Sequence, residues 1–269
     1  MKIFTQKNDL INSIYKEKKL GFVPTMGALH KGHIALIERS IKNNKKTIVS
    51  IFINKPQFNN NNDFRKYPKL INRDIALLKK LKVSYLFMPK NIDIYPNGIN
   101  KKIKINNFSR QLCGKYRPNH FEAVIDVVQR FINIINPKHM YFGEKDMQQL
   151  ILIKDFVKKN YPMLKIIGCK TIREKNGLPF SSRNFLLSNN DKKIGQKIYK
   201  FLKVNKNKIL QKKILVSDIK KRITILGISK IDYIKILDIN KIIKPIKTKK
   251  IYKIFISYYL KETRLIDNI

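Results

Sequence analysis

Residues 20–33 read LGFVPTMGALHKGH. Leu20 to Met26 form a short apolar run closing on a Pro-Thr turn, which predicts a buried strand. From residue 33 to 43, Ile34, Ile37 and Ile41 recur at three- to four-residue steps, the spacing of one helix face. Strand, glycine-bearing turn and helix in that order make the first unit of a parallel α/β sheet. The turn also concentrates chemistry. A helix start offers backbone N–H groups that lack intrahelical partners, a seat for an anion. His30 and His33 stand three apart and share a helix face, so both imidazoles can reach the same anion. The chain has only 4 histidines, and two of them fall here. A nucleoside triphosphate suits this arrangement best.

The pattern repeats outward. TIVSIFIN (47–54) is a nearly continuous apolar run, as interior parallel strands show. KLINRDIALLKKL (69–81) predicts an amphipathic helix and VSYLFM (83–88) a third strand. Residues 89–119 carry Pro89, Pro96, Gly98, Gly114 and Pro118 and read as loops with short elements. Then come a helix at 120–135, a strand at 139–143, a helix at 146–159 with Asp146 as its cap, and a strand at 164–172. Ligands on such sheets bind beyond the carboxyl ends of the strands, where His30 and Asn54 both fall. After NGLPFSSRN the texture changes. Helices are expected at 189–203 and 215–227, strands at 230–238 and 250–260. The division is therefore an α/β domain over 1–174 and a smaller α+β domain over 175–269.

Bulk composition excludes more than it assigns. Lys plus Arg is 58 and Asp plus Glu 18, a net charge of +40. Such a field attracts polyanions. The lysines are spread over the whole length, however, and Ile, Asn and Lys are overused together, so no specific nucleic-acid partner is expected. No run approaches ~18 apolar residues, so no membrane span is expected. Cys113 and Cys169 make no disulfide framework, and the first residues have no leader-like apolar core. A cytoplasmic protein is the expectation.

Further polar groups cluster at predicted loop positions. Asn54 and Gln57 follow the second strand and suit a small polar substrate. Gly143, Lys145 and Asp146 stand between a strand and a helix; Lys145 offers a point charge to phosphate. Gln149 lies one turn inside on the face of Asp146. Ser181, Ser182 and Arg183 make an anion clamp. Arg117 and His120 mark another substrate-facing helix start. There is neither a G-x-S-x-G elbow nor a Walker-type phosphate loop, so a serine nucleophile and a P-loop enzyme are set aside. Glu38 lies on a poor face to join the histidines on a metal, so no protein-bound metal is expected.

Seven strings, VPTMGALHKGH (23–33), VSIFINKPQF (49–58), DFRKYP (63–68), LCGKYRPNHF (112–121), FGEKDMQQL (142–150), TIREKNGLPFSSRN (171–184) and TRLIDN (263–268), together resemble the pantothenate synthetase family, the pantoate–β-alanine ligases. The resemblance implies a Rossmann-like nucleotidyltransferase domain with a smaller C-terminal domain, paired as a homodimer. It implies that ATP and (R)-pantoate give pantoyl adenylate and pyrophosphate, and that β-alanine then gives pantothenate and AMP, with Mg²⁺ accompanying ATP. Carried over by motif, Met26, Gly27, Ala28, Leu29, His30, Lys31, Gly32 and His33 contact ATP, with His33 as proton donor. Gly143, Glu144, Lys145, Asp146, Ile172, Phe180, Ser181, Ser182 and Arg183 complete the ATP site. The resemblance gives Gln57 and Gln149 to pantoate; the position of Asn54 after the second strand adds it as a further substrate amide. His30, His33, Lys145 and Arg183 supply donors to the charge that develops on the phosphoryl oxygens. Three departures stand out: Lys55 where proline is usual, Asn119 where the family has glycine before His-Phe, and Pro179-Phe180 in place of a smaller, Met-ending pair. Two other classes remain in view from the residues alone: another adenylyl-transferring enzyme acting on a small acid, and a basic nucleic-acid binder.

Overall fold

The computed structural model describes residues 1–243 and 250–269. It begins with a short strand, β1 (Lys2–Phe4), and helix α1 (Lys7–Ile14). The opening unit of the sequence follows as β2 (Leu20–Thr25) and α2 (Lys31–Asn43), then β3 (Lys46–Ile51). Helices α3 (Asn61–Lys66) and α4 (Ile71–Lys80) lead to β4 (Tyr85–Phe87). Short helices α5 (Asn91–Ile94) and α6 (Cys113–Tyr116) occupy the loop-rich stretch. Helix α7 (His120–Ile135), β5 (His139–Gly143), α8 (Met147–Asn160) and β6 (Lys165–Cys169) complete the first unit.

Six strands form one parallel sheet in the order β1-β4-β3-β2-β5-β6. β2 is central, β3 and β4 extend to one side, and β5 and β6 to the other. The strand order therefore reverses between β2 and β5, the switch point at which open α/β sheets bind ligands. Phe22, Val23, Ile48, Val49 and Met140 are fully buried, because helices cover both faces. On one face Phe131 of α7 meets the rings of Phe22, Phe52 and Phe87 at 5.3, 6.1 and 6.2 Å. The expected strands run long at their ends. β3 stops at Ile51, and Phe52 turns off with its N–H on the Thr25 carbonyl; the apolar residues beyond it wall a loop, which hydropathy does not distinguish from a strand. β1 carries no such run and its register on β4 is a tertiary event.

The second unit contains α9 (Asn189–Val204), α10 (Lys206–Leu210), α11 (Val216–Ile225), β7 (Lys230–Asp238), α12 (Ile239–Ile243), β8 (Tyr252–Leu260) and β9 (Thr263–Asn268). α9 starts on a capping box, Ser188 with Asp191. β7, β8 and β9 form an antiparallel sheet in that order. Alternation along β8 sends Ile254 and Ile256 toward Ile198, Leu202, Ile219 and Ile223. Phe255, with Tyr233 of β7, joins the core of the first unit instead. A register shift between Ile231 and Tyr233 interrupts the alternation expected of β7. The string TRLIDN is the edge strand β9. Among the described residues no helix is long and apolar enough to cross a membrane.

Candidate active site

At the end of β2 the chain makes a tight turn. Thr25 donates its hydroxyl to the Ser50 carbonyl and accepts the Gly27 N–H. Gly27 (φ 79°) and Ala28 (φ 49°) both lie in the left-handed region. That conformation costs an alanine roughly 1–2 kcal/mol. Asp74 of α4 offsets it: its carboxylate oxygens accept the Ala28 N–H at 2.7 Å and the Leu29 N–H at 2.9 Å. Ser182 closes the turn from the other side, its hydroxyl donating to the Ala28 carbonyl at 3.0 Å.

The turn delivers His30 as the N-cap of α2, its Nδ1 accepting the Gly32 N–H at 3.1 Å. Gly32 permits this, since a Cβ there would lie 2.8 Å from the His30 ring. The His30 and His33 rings stack with centroids 4.0 Å apart. One amide of the expected anion seat is thus already taken by an imidazole. Burial, with the His33 and Lys145 charges added, lowers the His30 pKa to about 2, and burial lowers that of His33 to about 4. Both are neutral near pH 7. Any hydrogen bond that His33 donates near pH 7 is therefore that of a neutral ring and not of an imidazolium. Its Nδ1 is buried and has no partner among the described residues.

Facing α2 across the switch point, Lys145 and Asp146 follow β5 and pair at 3.0 Å. Asp146 occupies the N-cap position of α8 but makes no side-chain cap bond, because its carboxylate turns to Lys145. Gln57 presents its amide to Met26 Sδ and to Asn54. Sulfur is a weak acceptor, so the Gln57 Nε2 is easily redirected to a substrate. Arg183 forks onto Asp63 at 2.7–3.2 Å.

Met26, His30, Gly32, His33, Asn54, Gln57, Gly143, Lys145, Asp146, Gln149, Ile172, Phe180, Ser181, Ser182 and Arg183 line one connected cleft of about 300 Å³. Several expected contacts need correcting. Ala28 and Leu29 are buried beneath the cleft with their amides on Asp74. Gly27 is buried under it too, its N–H on the Thr25 hydroxyl. Lys31 is exposed outside, with Nζ 5.7 Å from the Phe180 ring. The Glu144 side chain turns toward Gly168 of β6 and not into the cleft. Asn54 is 1% exposed; it donates to Gln57 and the Ala123 carbonyl and accepts from Tyr95, so it holds Gln57 in place. The Ser181 hydroxyl caps the turn at Arg183, and the Ser182 hydroxyl is committed to Ala28. His120 is not a substrate-facing donor either: Nδ1 holds the Gln57 carbonyl at 2.8 Å.

Asp63, Asp74, Tyr95, Asp232, Arg264 and Asn268 hydrogen-bond around the cleft, and the sequence reading gives none of them an individual role, although Asp63, Arg264 and Asn268 fall within the strings DFRKYP and TRLIDN. Asp74 left one trace: it sits four residues before Leu78 on the apolar face of α4, where a charge needs a partner. The others are joined by folding alone.

A family model described as pantoate-beta-alanine ligase matches residues 2–269. The chain belongs to this ligase family. A pantothenate synthetase of Francisella tularensis subsp. novicida is 41% identical over 267 residues, 98% of this chain and 94% of the relative. A crystal structure of the pantoate-beta-alanine ligase of Francisella tularensis, complexed with beta-gamma ATP and beta-alanine, superposes with a TM-score of 0.88 at 38% identity, covering 100% of this chain and 97% of the other. The pantothenate synthetase of Thermus thermophilus gives 0.89 at 30% identity, covering 100% and 99%. All seven ligase-family strings contribute residues to the one cleft. Of the departures from the family pattern, Asn119 adopts φ 61°, a left-handed conformation that asparagine tolerates where glycine is usual. Phe180 stacks beside His30 with centroids 6.4 Å apart.

Proposed function

We infer that the chain condenses (R)-pantoate with β-alanine at the expense of ATP. A pantoate carboxylate oxygen attacks the α-phosphorus; the O–P bond forms as the bond to pyrophosphate breaks. The β-alanine nitrogen then attacks the acyl carbon. The C–N bond forms, the C–O bond to AMP breaks with its electron pair, and the surplus amine proton passes to solvent. The observation that carries this reading is the convergence of the seven family strings, up to 245 residues apart from their first to last member, on one cleft at the sheet's switch point.

Within that reading, Met26, His30, Gly32 and His33 at the β2–α2 turn, Gly143, Lys145 and Asp146 after β5, and Ile172, Phe180 and Arg183 serve ATP. Gln57 and Gln149 serve pantoate. His30, His33, Lys145 and Arg183 meet the charge that grows on the phosphoryl oxygens; preorganised donors are most effective there. Mg²⁺ fits as a companion of the nucleotide. Among the described residues no three His, Cys, Asp or Glu side chains gather to hold a metal, while Asp146 offers one carboxylate at the phosphate side. A hard cation held mainly by phosphate oxygens and water suits that donor set, and when bound it would neutralise phosphate charge. The units 1–174 and 175–269 act as body and cover of the site, and two chains pair as a homodimer, which light scattering reads directly.

The test omits ATP, pantoate and β-alanine in turn. AMP and pyrophosphate should form only with pantoate, and pantothenate only when β-alanine is added. ADP with inorganic phosphate, or equal AMP release with an unrelated carboxylic acid, would reject the reading.

A further inference from the structure

We propose that Arg117 anchors the carboxylate of β-alanine and so selects the amine that the acyl adenylate accepts; the proposal rests on the ligase reading above. Three arginines line the cleft, Arg117, Arg183 and Arg264. Two are matched by acids: Arg183 by Asp63, and Arg264 by Asp232 with Nε 2.7 Å from the carboxylate. Arg117 forms no ion pair with any described residue. Its partners are neutral, the His120 Nε2 at 3.1 Å from Nη1 and the Gln57 carbonyl at 3.0 Å from Nη2. A guanidinium has five N–H donors in a planar fork. Those two contacts leave most of the fork for a ligand. Burial, with Arg183 and Arg264 nearby, also pulls its pKa down to about 10, a strain that an anion relieves.

The charges divide the cleft into two ends. His30 and His33 feel Lys145, Arg73 and Asp146. Arg117 feels Arg183, Arg264, Cys113 and Asp63. The first end, at the start of α2, suits the triphosphate. The second adjoins Gln57 and is left for a carboxylate. Pantoate's carboxylate is the nucleophile; it must move onto phosphorus and lose its charge as it becomes an acyl phosphate. A guanidinium clamp would oppose that step. The carboxylate of β-alanine keeps its charge from binding to product and takes no part in bond making. A permanently charged planar fork binds such a group without resisting the chemistry. The His120 bridge supports this role: it accepts from Arg117 and donates to the Gln57 carbonyl, so the anchor and the expected pantoate contact are held as one piece.

The experiment compares β-alanine with β-alaninamide and propylamine, which lack the carboxylate, as acceptors for the wild-type enzyme and for Arg117→Met and Arg117→Lys. Charged hydrogen bonds of about 1.5–3 kcal/mol correspond to roughly 10–100-fold. The wild type should prefer β-alanine by about that factor. Arg117→Met should raise the β-alanine KM by about as much and erase the preference, with pantoate-dependent ATP–pyrophosphate exchange falling far less, and Arg117→Lys should recover part of it. Equal use of the three amines by the wild type would overturn the proposal even if no variant folds. So would an unchanged β-alanine KM in Arg117→Met, or a loss of exchange as large as the loss of ligation. Absence of pantoate-dependent exchange in the wild type would instead count against the ligase reading itself.

Discussion

His33 sits half-buried at the cleft with a neutral ring and an Nδ1 that nothing in the described protein satisfies. Removing its imidazole sacrifices little apolar packing, so the loss belongs to the reaction. One preorganised donor to transition-state charge is worth about 2.7–4 kcal/mol in an acyl-transfer enzyme, or roughly 10²–10³ in rate. His33→Ala should slow single-turnover adenylation on that scale while its melting temperature stays close to the wild type. A folded His33→Ala protein with near-normal adenylation would remove His33 from the catalytic set.

Elements set where these side chains stand. β9 runs along the edge of the second sheet, yet its last residue reaches the first unit. Asn268 is 3% exposed, and its Nδ2 donates to the carbonyls of Glu144 at 2.8 Å and Lys145 at 2.9 Å. The neighbouring Asp267 takes Arg173 in a two-point ion pair at 2.7 and 2.8 Å. One strand end thus braces the turn that carries Lys145 and the base of the loop that carries Arg183. Asn268→Asp would set a carboxylate against two carbonyl oxygens and forfeit about 1–3 kcal/mol of hydrogen bonding. Adenylation should fall by about tenfold or more. Lys253→Met, which removes the donor to the Asn268 side-chain oxygen at 2.9 Å and leaves the two carbonyl contacts in place, should leave the rate near normal. Equal losses in the two variants, followed by matched kcat and melting measurements, would reduce the brace to general packing.

For the molecule as a whole, acid is the weak side. Burial comes first in lowering the pKa of each of the 4 histidines: His30 to about 2, His33 to about 4, His120 well below its ordinary value, and His139 in the same direction. Below pH 6.5 the unfolded chain takes up protons that the folded chain refuses. Stability is therefore full above the unfolded value and declines as pH falls from about 6.5 toward about 4, by up to roughly 1.4 kcal/mol per pH unit for each fully depressed histidine. The melting temperature should drop steadily between pH 7 and pH 4.5, as followed by circular dichroism. A flat profile over that range would show that the histidines titrate alike in both states.

The parallel α/β class was legible in residues 20–33 and 47–54, because strands buried on both faces need unbroken apolar runs and the helix between them needs a three-to-four-residue period. The strings that carry ligase chemistry were legible too, since residue type and short spacing decide which chemistry a loop can offer. What only the folded chain decided is which polar groups remain free to use it. Asn54, Ser182 and His120 look like ligands in sequence, yet spend their hydrogen bonds on Gln57 and Ala28. Asp74 and Asn268 look incidental, yet hold the two turns that face each other. A buried polar atom must be paired, and apart from the Asn54–Gln57 bond the partners here, Ala123 and Tyr95 of Asn54 among them, lie tens to hundreds of residues away, beyond the reach of any local pattern.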